Sequence, residues 1–296
     1  MAATEVPRLR VAVLGVGRMG AGIAAEYAAA GHAVTVTTSA GTSAGDAVER
    51  VRIQLAQVGA TAEVGWGRST PEAAAGADVV VESLPELVEL KAAELAAAQA
   101  VAPGAILASN TSSLSLAAIG ASLGDRSRLL GAHYLNPPLA FPVVELVSGT
   151  ATDPAALERM GQILRSLGKL PVVVRDVPGF VLNRLQMALL REAVDLVDGG
   201  VVAAADLDLL IRDGLGRRWS AIGPFATVAI GGPAVFRRVA EELYPVLSRR
   251  HDPPESLDRL GLDESAVAEL RASRDRALGR ASGGDRPGGR DAAAGG

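Results

Sequence analysis

RVAVLGVGRMGAGIAAEYAA, residues 10–29, begins as a short apolar run rich in valine, passes through three spaced glycines and continues as an alanine-rich stretch. The run predicts a strand over 10–16 and the stretch after it a helix over 19–30, so Gly15-x-Gly17-x-x-Gly20 lies between strand and helix, the context in which this spacing is informative. Gly15 permits the tight turn and Gly17 lets backbone approach a pyrophosphate. Gly20 lets helix and strand pack closely, and the helix N-terminus then faces the phosphates. The stretch predicts the first βα unit of a dinucleotide-binding sheet; the competing reading is a set of glycine turns in an α/β fold that binds nothing.

The pattern continues on both sides. AVTVTT (33–38), DVVVES (78–83), ILASN (106–110), LLGAHY (129–134), VVELVS (143–148) and KLPVVVRD (169–176) read as further strands, with helices near 43–58, 86–101, 115–121 and 153–167. Strands alternating with helices predict a mostly parallel sheet of Rossmann type. After Val177 apolar residues recur at spacings of three and four, and FVLNRLQMALLREAVDLVDGG ends on the helix stop Gly199-Gly200. With helices near 203–213, 224–247 and 255–279, this gives three expected regions: a Rossmann domain over 8–176, an all-α domain over 177–280 and a disordered tail over 281–296, which lacks bulky apolar residues.

A carboxylate usually ends the second strand and holds the ribose hydroxyls of NAD. Thr37, Thr38 and Ser39 stand there instead, and no arginine follows within ten residues to meet the 2′-phosphate of NADP. Arg18, inside the loop, reaches that phosphate, sits over the pyrophosphate or is solvated. The expected cofactor is therefore NAD or NADP, with acceptance of both.

Composition closes off other classes. The chain has 296 residues, 49% of them hydrophobic, and a net charge of -4 with both signs mixed along it, which supplies a core but no basic stripe for nucleic acid. No cysteine and three scattered histidines argue against a disulfide, a thiolate nucleophile or a zinc site, so no metal is expected. The apolar N-terminal run is broken by Gly15 and Gly17, and no apolar stretch reaches the roughly 20 residues of a membrane span. The expectation is a cytoplasmic protein with no membrane partner.

LLGAHYLNPPLAFPVVELVSG (129–149) reads as buried strand, proline turn and buried strand, yet carries His133 and Glu145. By itself a lone histidine is more often structural, and Glu145 could face solvent from an edge strand.

GVGRMGAGIA, ADVVVESLPE, ASNTSSL, HYLNPP with FPVVELV, PGFVLNRL and GLGRRWSAIGPF occur in the order found in the L-3-hydroxyacyl-CoA dehydrogenase family, which the chain resembles over about residues 8–280. It looks closest to the branch containing λ-crystallin, L-gulonate 3-dehydrogenase and carnitine dehydrogenase. The resemblance implies an NAD(P)-dependent dehydrogenase that interconverts a 3-hydroxy acid or 3-hydroxyacyl thioester and its 3-keto form. It assigns His133 as general base, Glu145 as the acid paired with it, and Ser112 and Asn183 as the rest of the active-site quartet. Gly15, Gly17, Arg18, Met19, Gly20, Thr38, Ser39 and Asn110 fall to the cofactor, with Glu82 and Lys91 placed second because a solvated surface pair explains them as well. Those residue types suit the chemistry. An imidazole titrating near neutrality takes a carbinol proton as the carbonyl forms, a carboxylate fixes its tautomer, and hydroxyl and amide groups hold the developing oxygen charge.

The chain departs from the family between the second strand and Asp78, where AGDAVERVRIQLAQVGATAEVGWGRST is shorter and carries no lysine. The family's basic helical arm contacts coenzyme A there, so a free hydroxy acid or a carrier-protein-bound acyl group is expected alongside acyl-CoA as a substrate. Trp66 either packs or covers the opening. Two other readings compete. The 6-phosphogluconate and β-hydroxyacid dehydrogenase type shares GxGRMG but needs a lysine on its interdomain helix, where neither Lys91 nor Lys169 lies. A non-catalytic protein could also use the same fold. The all-α part resembles the region through which the family dimerises, which predicts a homodimer.

Overall fold

The computed structural model describes residues 6–38, 43–260 and 263–283. The chain divides into two compact units, Met1–Val181 with Glu269–Gly296, and Leu182–Ala268.

The first unit alternates strand and helix: β1 (Arg10–Leu14), α1 (Arg18–Ala29), β2 (Ala33–Thr37), α2 (Ala44–Gln57), β3 (Val64–Trp66), α3 (Thr70–Ala74), β4 (Val79–Glu82), α4 (Val88–Val101), β5 (Ile106–Ser109), α5 (Leu116–Ile119), β6 (Leu129–Tyr134), β7 (Val143–Ser148), α6 (Pro154–Ser166) and β8 (Leu170–Arg175). One sheet results, ordered β3-β2-β1-β4-β5-β6-β7-β8. Strands β1 to β6 run parallel in it, β7 returns antiparallel to β6, and β8 runs parallel to β7. All four residues of β4 and of β5 are buried, as expected where helices cover both faces of a sheet.

The pleat sends alternate residues of β1 into different cores. Val11 and Val13 join α1, α2 and α6 through Ile23, Val51 and Met160, while Ala12 and Leu14 join α4 and α5 through Leu95 and Ile119. Two caps set helix starts. Ser43 accepts a bond from the Asp46 N–H at α2, and Asp153 from the Ala155 N–H at α6 with Pro154 first in the helix.

Two elements of this unit differ from expectation. Strand β3 and helix α3 are too short to show a period in the sequence, and Trp66, read as a loop residue that packs or covers an opening, sits in β3 opposite Val36 and packs on the core.

The second unit is helical: α7 (Leu182–Asp198), α8 (Ala204–Leu209) running through a π-helical segment, Leu210–Gly216, into α9 (Arg217–Ala221), then α10 (Pro224–Gly231) and α11 (Pro233–Leu243). The helix expected over 224–247 is broken at Gly232, whose φ is 90°, because Pro233 has no N–H to continue the ladder. A 3-10 segment, Glu255–Leu260, precedes α12 (Glu264–Gly283), so the helix runs past 281, where a tail was expected to begin. From Glu269 onward that helix also belongs with the sheet unit, whereas the sequence placed it in the helical domain. Periodicity identifies a helix but not the body it packs against. Residues 284–296 lie outside the described residues. Among the described residues no helix is long and apolar enough to cross a membrane.

Candidate active site

The loops after β1, β2, β4 and β5 all leave the carboxyl ends of parallel strands, where open α/β sheets bind ligands. A groove of about 540 Å³ lies over them, lined at the β2 side by Thr38 and Arg50, centrally by Gly17 and Met19, and at the β5 side by Asn110 and Ser112. Gly15 has φ of 93°, and a Cβ there would lie 2.6 Å from the Ser83 carbonyl oxygen. A Cβ on Gly20 would lie 1.8 Å from the Gly15 oxygen, so loop and helix touch only because both positions lack side chains. A Cβ on Gly17 would meet nothing within 4 Å, which means the backbone there faces open groove. The first α1 bond runs from the Ala21 N–H to Gly17, and no side chain caps the helix, so its leading amides are available to an anion. These features fit the pyrophosphate of a dinucleotide.

Glu82 and Lys91 lie beneath this groove. Both are buried, with Lys91 Nζ 2.7 Å from Glu82 Oε1 and donating to the Leu84 carbonyl at 3.0 Å, and with Ser109 Oγ donating to Glu82 Oε2 at 2.5 Å. They are therefore not the solvated surface pair weighed from sequence. The carboxylate that reaches the groove is Glu86, which sequence reasoning passed over. Its Oε1 accepts from the Thr111 hydroxyl (2.5 Å) and from the N–H groups of Ser112 (2.8 Å) and Ser113 (3.0 Å), and Lys91 Nζ stands 3.1 Å from its Oε2. Those donors and the lysine charge outweigh desolvation and hold its pKa down at about 2. An ionised Glu86 thus fixes the loop that carries Ser112.

Strands β6 and β7 form an antiparallel pair in which His133 stands directly opposite Glu145. The connection passes through a cis Asn136–Pro137 bond and a short 3-10 turn, Pro138–Ala140. His133 Nδ1 and Glu145 Oε2 are 2.7 Å apart with both residues buried. An ionised carboxylate only accepts, so opposite an ionised Glu145 the ring donates from Nδ1, and the neutral form of that tautomer has its lone pair on Nε2. The Val181 N–H donates to the other carboxylate oxygen at 2.9 Å. Phe180, buried and held at φ of 48°, packs against the imidazole at 5.5 Å between ring centroids. Asn110 Oδ1 accepts from the Tyr134 N–H at 2.9 Å, which ties the β5 end of the groove to the strand carrying His133.

The hairpin turn is anchored from below. Lys169 Nζ donates to the carbonyls of Pro138 (2.7 Å) and Phe141 (2.9 Å) and pairs with Glu26 of α1, all of it out of solvent.

Asn183 occupies the first turn of α7, in the helical unit. Thr37 is buried and Thr38 lines the groove, while Ser39 lies outside the described residues. Arg50 is the second groove residue the sequence reading did not find. It lies just beyond the ten residues that follow Thr37-Thr38-Ser39, and helix α2 carries it back over the glycine loop, where Nη1 donates to the Val16 carbonyl at 3.2 Å.

Comparison with known proteins agrees with this layout. The family model described as 3-hydroxyacyl-CoA dehydrogenase, NAD binding domain, matches residues 10–177, and the C-terminal domain model of the same enzyme matches residues 179–267. L-carnitine dehydrogenase of Streptomyces griseus is 36% identical over 91% of this chain and 88% of that one. The lambda-crystallin homolog of Bos taurus is 42% identical over 53% of this chain and 50% of its own. The crystal structure of 5-formyl-3-hydroxy-2-methylpyridine 4-carboxylic acid 5-dehydrogenase, described as an NAD+-dependent dismutase, superposes with a TM-score of 0.86 at 31% identity, covering 93% of this chain and 97% of that one. With both domain models matched in order along nearly the whole chain, the protein belongs to the 3-hydroxyacyl-CoA dehydrogenase family of NAD-dependent oxidoreductases.

Proposed function

We propose that the chain interconverts a small free 3-hydroxy acid and its 3-keto form, with His133 as general base. The buried His133–Glu145 pair carries this reading. His133 Nε2 takes the hydroxyl proton as the carbonyl forms and returns it in the reverse direction, and Glu145 steadies the imidazolium in between. Glu145 is itself held by the Val181 N–H, so the carboxylate that orients the ring is fixed in turn. The family resemblance gives Ser112 and Asn183 the role of holding the substrate oxygen. The glycine loop and Asn110 would hold a nicotinamide dinucleotide at the groove, and that group would supply the hydride acceptor for the carbinol carbon. Glu86 keeps the Ser112 loop in place for that arrangement.

Free acids are favoured over thioesters because the segment from Ala44 to Ala74 folds into α2, β3 and α3 against the sheet and carries no lysine to meet coenzyme A. Two of the relatives compared above, L-carnitine dehydrogenase and the pyridine carboxylic acid 5-dehydrogenase, are named for small molecules that are not thioesters. A nicotinamide absorbance screen tests this: carnitine, gulonate and 3-hydroxybutyrate with the oxidised cofactor should outpace acetoacetyl-CoA with the reduced one. Faster turnover of the thioester would reverse the assignment. Silence with every substrate, despite cofactor binding, would favour a non-catalytic protein.

The functional protein is a homodimer built on the helical unit. Phe225, Ile230, Tyr244 and Val246 of that unit are 88%, 76%, 70% and 73% exposed. Each such side chain stabilises a contact by about 1.5–3 kcal/mol once covered, and a second copy is the cover in line with the family resemblance. Light scattering should return twice 30.1 kDa; the single-chain mass would exclude the dimer.

A further inference from the structure

We infer that the β2 end of the groove binds the 2′-phosphate of NADP(H), with Arg50 as its principal partner and Arg18 and Thr38 beside it, so that the enzyme accepts both nicotinamide dinucleotides. The inference rests on reading the groove as the dinucleotide site and adds a phosphate subsite to it.

Three contacts define the subsite. The Gly15 N–H donates to the Thr37 carbonyl at 2.8 Å, which brings the glycine loop against the end of β2. Arg50 reaches from α2 to the Val16 carbonyl, so its guanidinium stands over that same junction. Thr38, Arg18 and Arg50 then line one groove together. The position where an acid would take the ribose hydroxyls and repel a phosphate holds threonine, whose hydroxyl donates to a phosphate or accepts from a ribose.

The arginines are free to serve an anion. Among the described residues no ion pair joins Arg50 or Arg18 to a carboxylate, and Glu49, next to Arg50 in α2, faces Arg52 at 3.8 Å. One of the five guanidinium N–H groups of Arg50 is spent on Val16 and the rest remain. Arg50 is exposed, and its bond to the Val16 carbonyl holds the planar donor fork at the rim of the groove beside Thr38. Arginine forks match phosphate oxygens in pairs.

The test is equilibrium binding to the full-length protein, read by nicotinamide fluorescence for NADH and NADPH and by calorimetry for ADP and 2′,5′-ADP. The wild type should bind both dinucleotides, and 2′,5′-ADP more tightly than ADP. In Arg50→Gln the ratio of NADPH to NADH affinity should fall about 10- to 100-fold, the size of one lost charge-assisted phosphate contact. Thr38→Asp should shift the ratio the same way by restoring the repelling carboxylate, and Arg50→Lys should keep part of it. These two decide the matter if Arg50→Gln does not fold. NADH binding without NADPH binding in the wild type would overturn the phosphate subsite alone, as would equal loss of both in Arg50→Gln, which would make Arg50 a prop for the loop. Failure of either dinucleotide to bind would overturn the groove assignment and the subsite with it.

Discussion

His133→Ala should lower kcat by about 10²–10⁴-fold, the range for a positioned general base. The imidazole is the group that exchanges the proton with the substrate oxygen, and a methyl in its place removes the ring that Glu145 Oε2 faces. Water admitted to the space could carry protons, but without the fixed direction that strand pairing gives Nε2. Glu145→Gln should cost nearly as much for a different reason. Its amide can donate to Nδ1, which moves the ring proton to Nε2 and removes the lone pair the reaction uses. Steady-state rates of the two variants, with dinucleotide affinity measured alongside, check the assignment. Full activity in His133→Ala would make the pair structural, and full activity in Glu145→Gln would remove the tautomer argument.

The largest stability loss is expected from Lys169→Met. Removing one partner of a buried pair leaves the other charge uncompensated, at a cost of about 3–5 kcal/mol, and here two turn carbonyls lose their donor as well. Burial already raises the Glu26 pKa to about 7, while the charge and hydrogen bond of Lys169 act to lower it. Folded Glu26 therefore holds its proton more tightly than the unfolded chain does, and its contribution to stability declines as pH rises from about 4.5 to 7. Without the lysine the pKa moves higher and the decline continues to higher pH. The cost of Lys169→Met should thus be smaller in mild acid, where the loss of the donor to the two carbonyls remains, and grow through neutrality. Urea unfolding of the wild type and the variant across that range measures it. The double variant Glu26→Gln/Lys169→Met should recover much of the loss, because a neutral pair avoids the desolvation of a charge. A cost independent of pH, or one unchanged in the double variant, would mean that Lys169 acts only through the Pro138 and Phe141 carbonyls.

Legibility followed period and chemistry. Strands β1, β2, β4, β5, β6, β7 and β8 were readable to within a residue or two because each is a short apolar or β-branched run between glycine, proline and helix signals, β8 included although most of it is exposed. Strand β3 and helix α3 were not, since neither is long enough for a period to appear. His133 and Glu145 stood out as ionisable residues in apolar strands. Glu86 is an acid just ahead of a helix with no pattern to mark it, and its bonds to the 111–113 loop come from distant positions in the chain. Arg50 lies in a helix with other charges, and its meeting with Val16 is fixed by how α2 packs on α1.

By itself the sequence determined the alternation of strand and helix, the glycine geometry at the head of α1 and the kinds of group available for chemistry, because these depend on local backbone sterics and side-chain type. Tertiary structure alone decided which groups meet. The antiparallel return of β7 put Glu145 across from His133, a pairing that the reading of strand, proline turn and strand left undecided. Burial made Glu82, Lys91, Glu26 and Lys169 interior ion pairs, which composition cannot distinguish from solvated charges. The physical reason is common to both: strand direction and desolvation are properties of the assembled sheet, set by long-range contacts that no local stretch of chain contains.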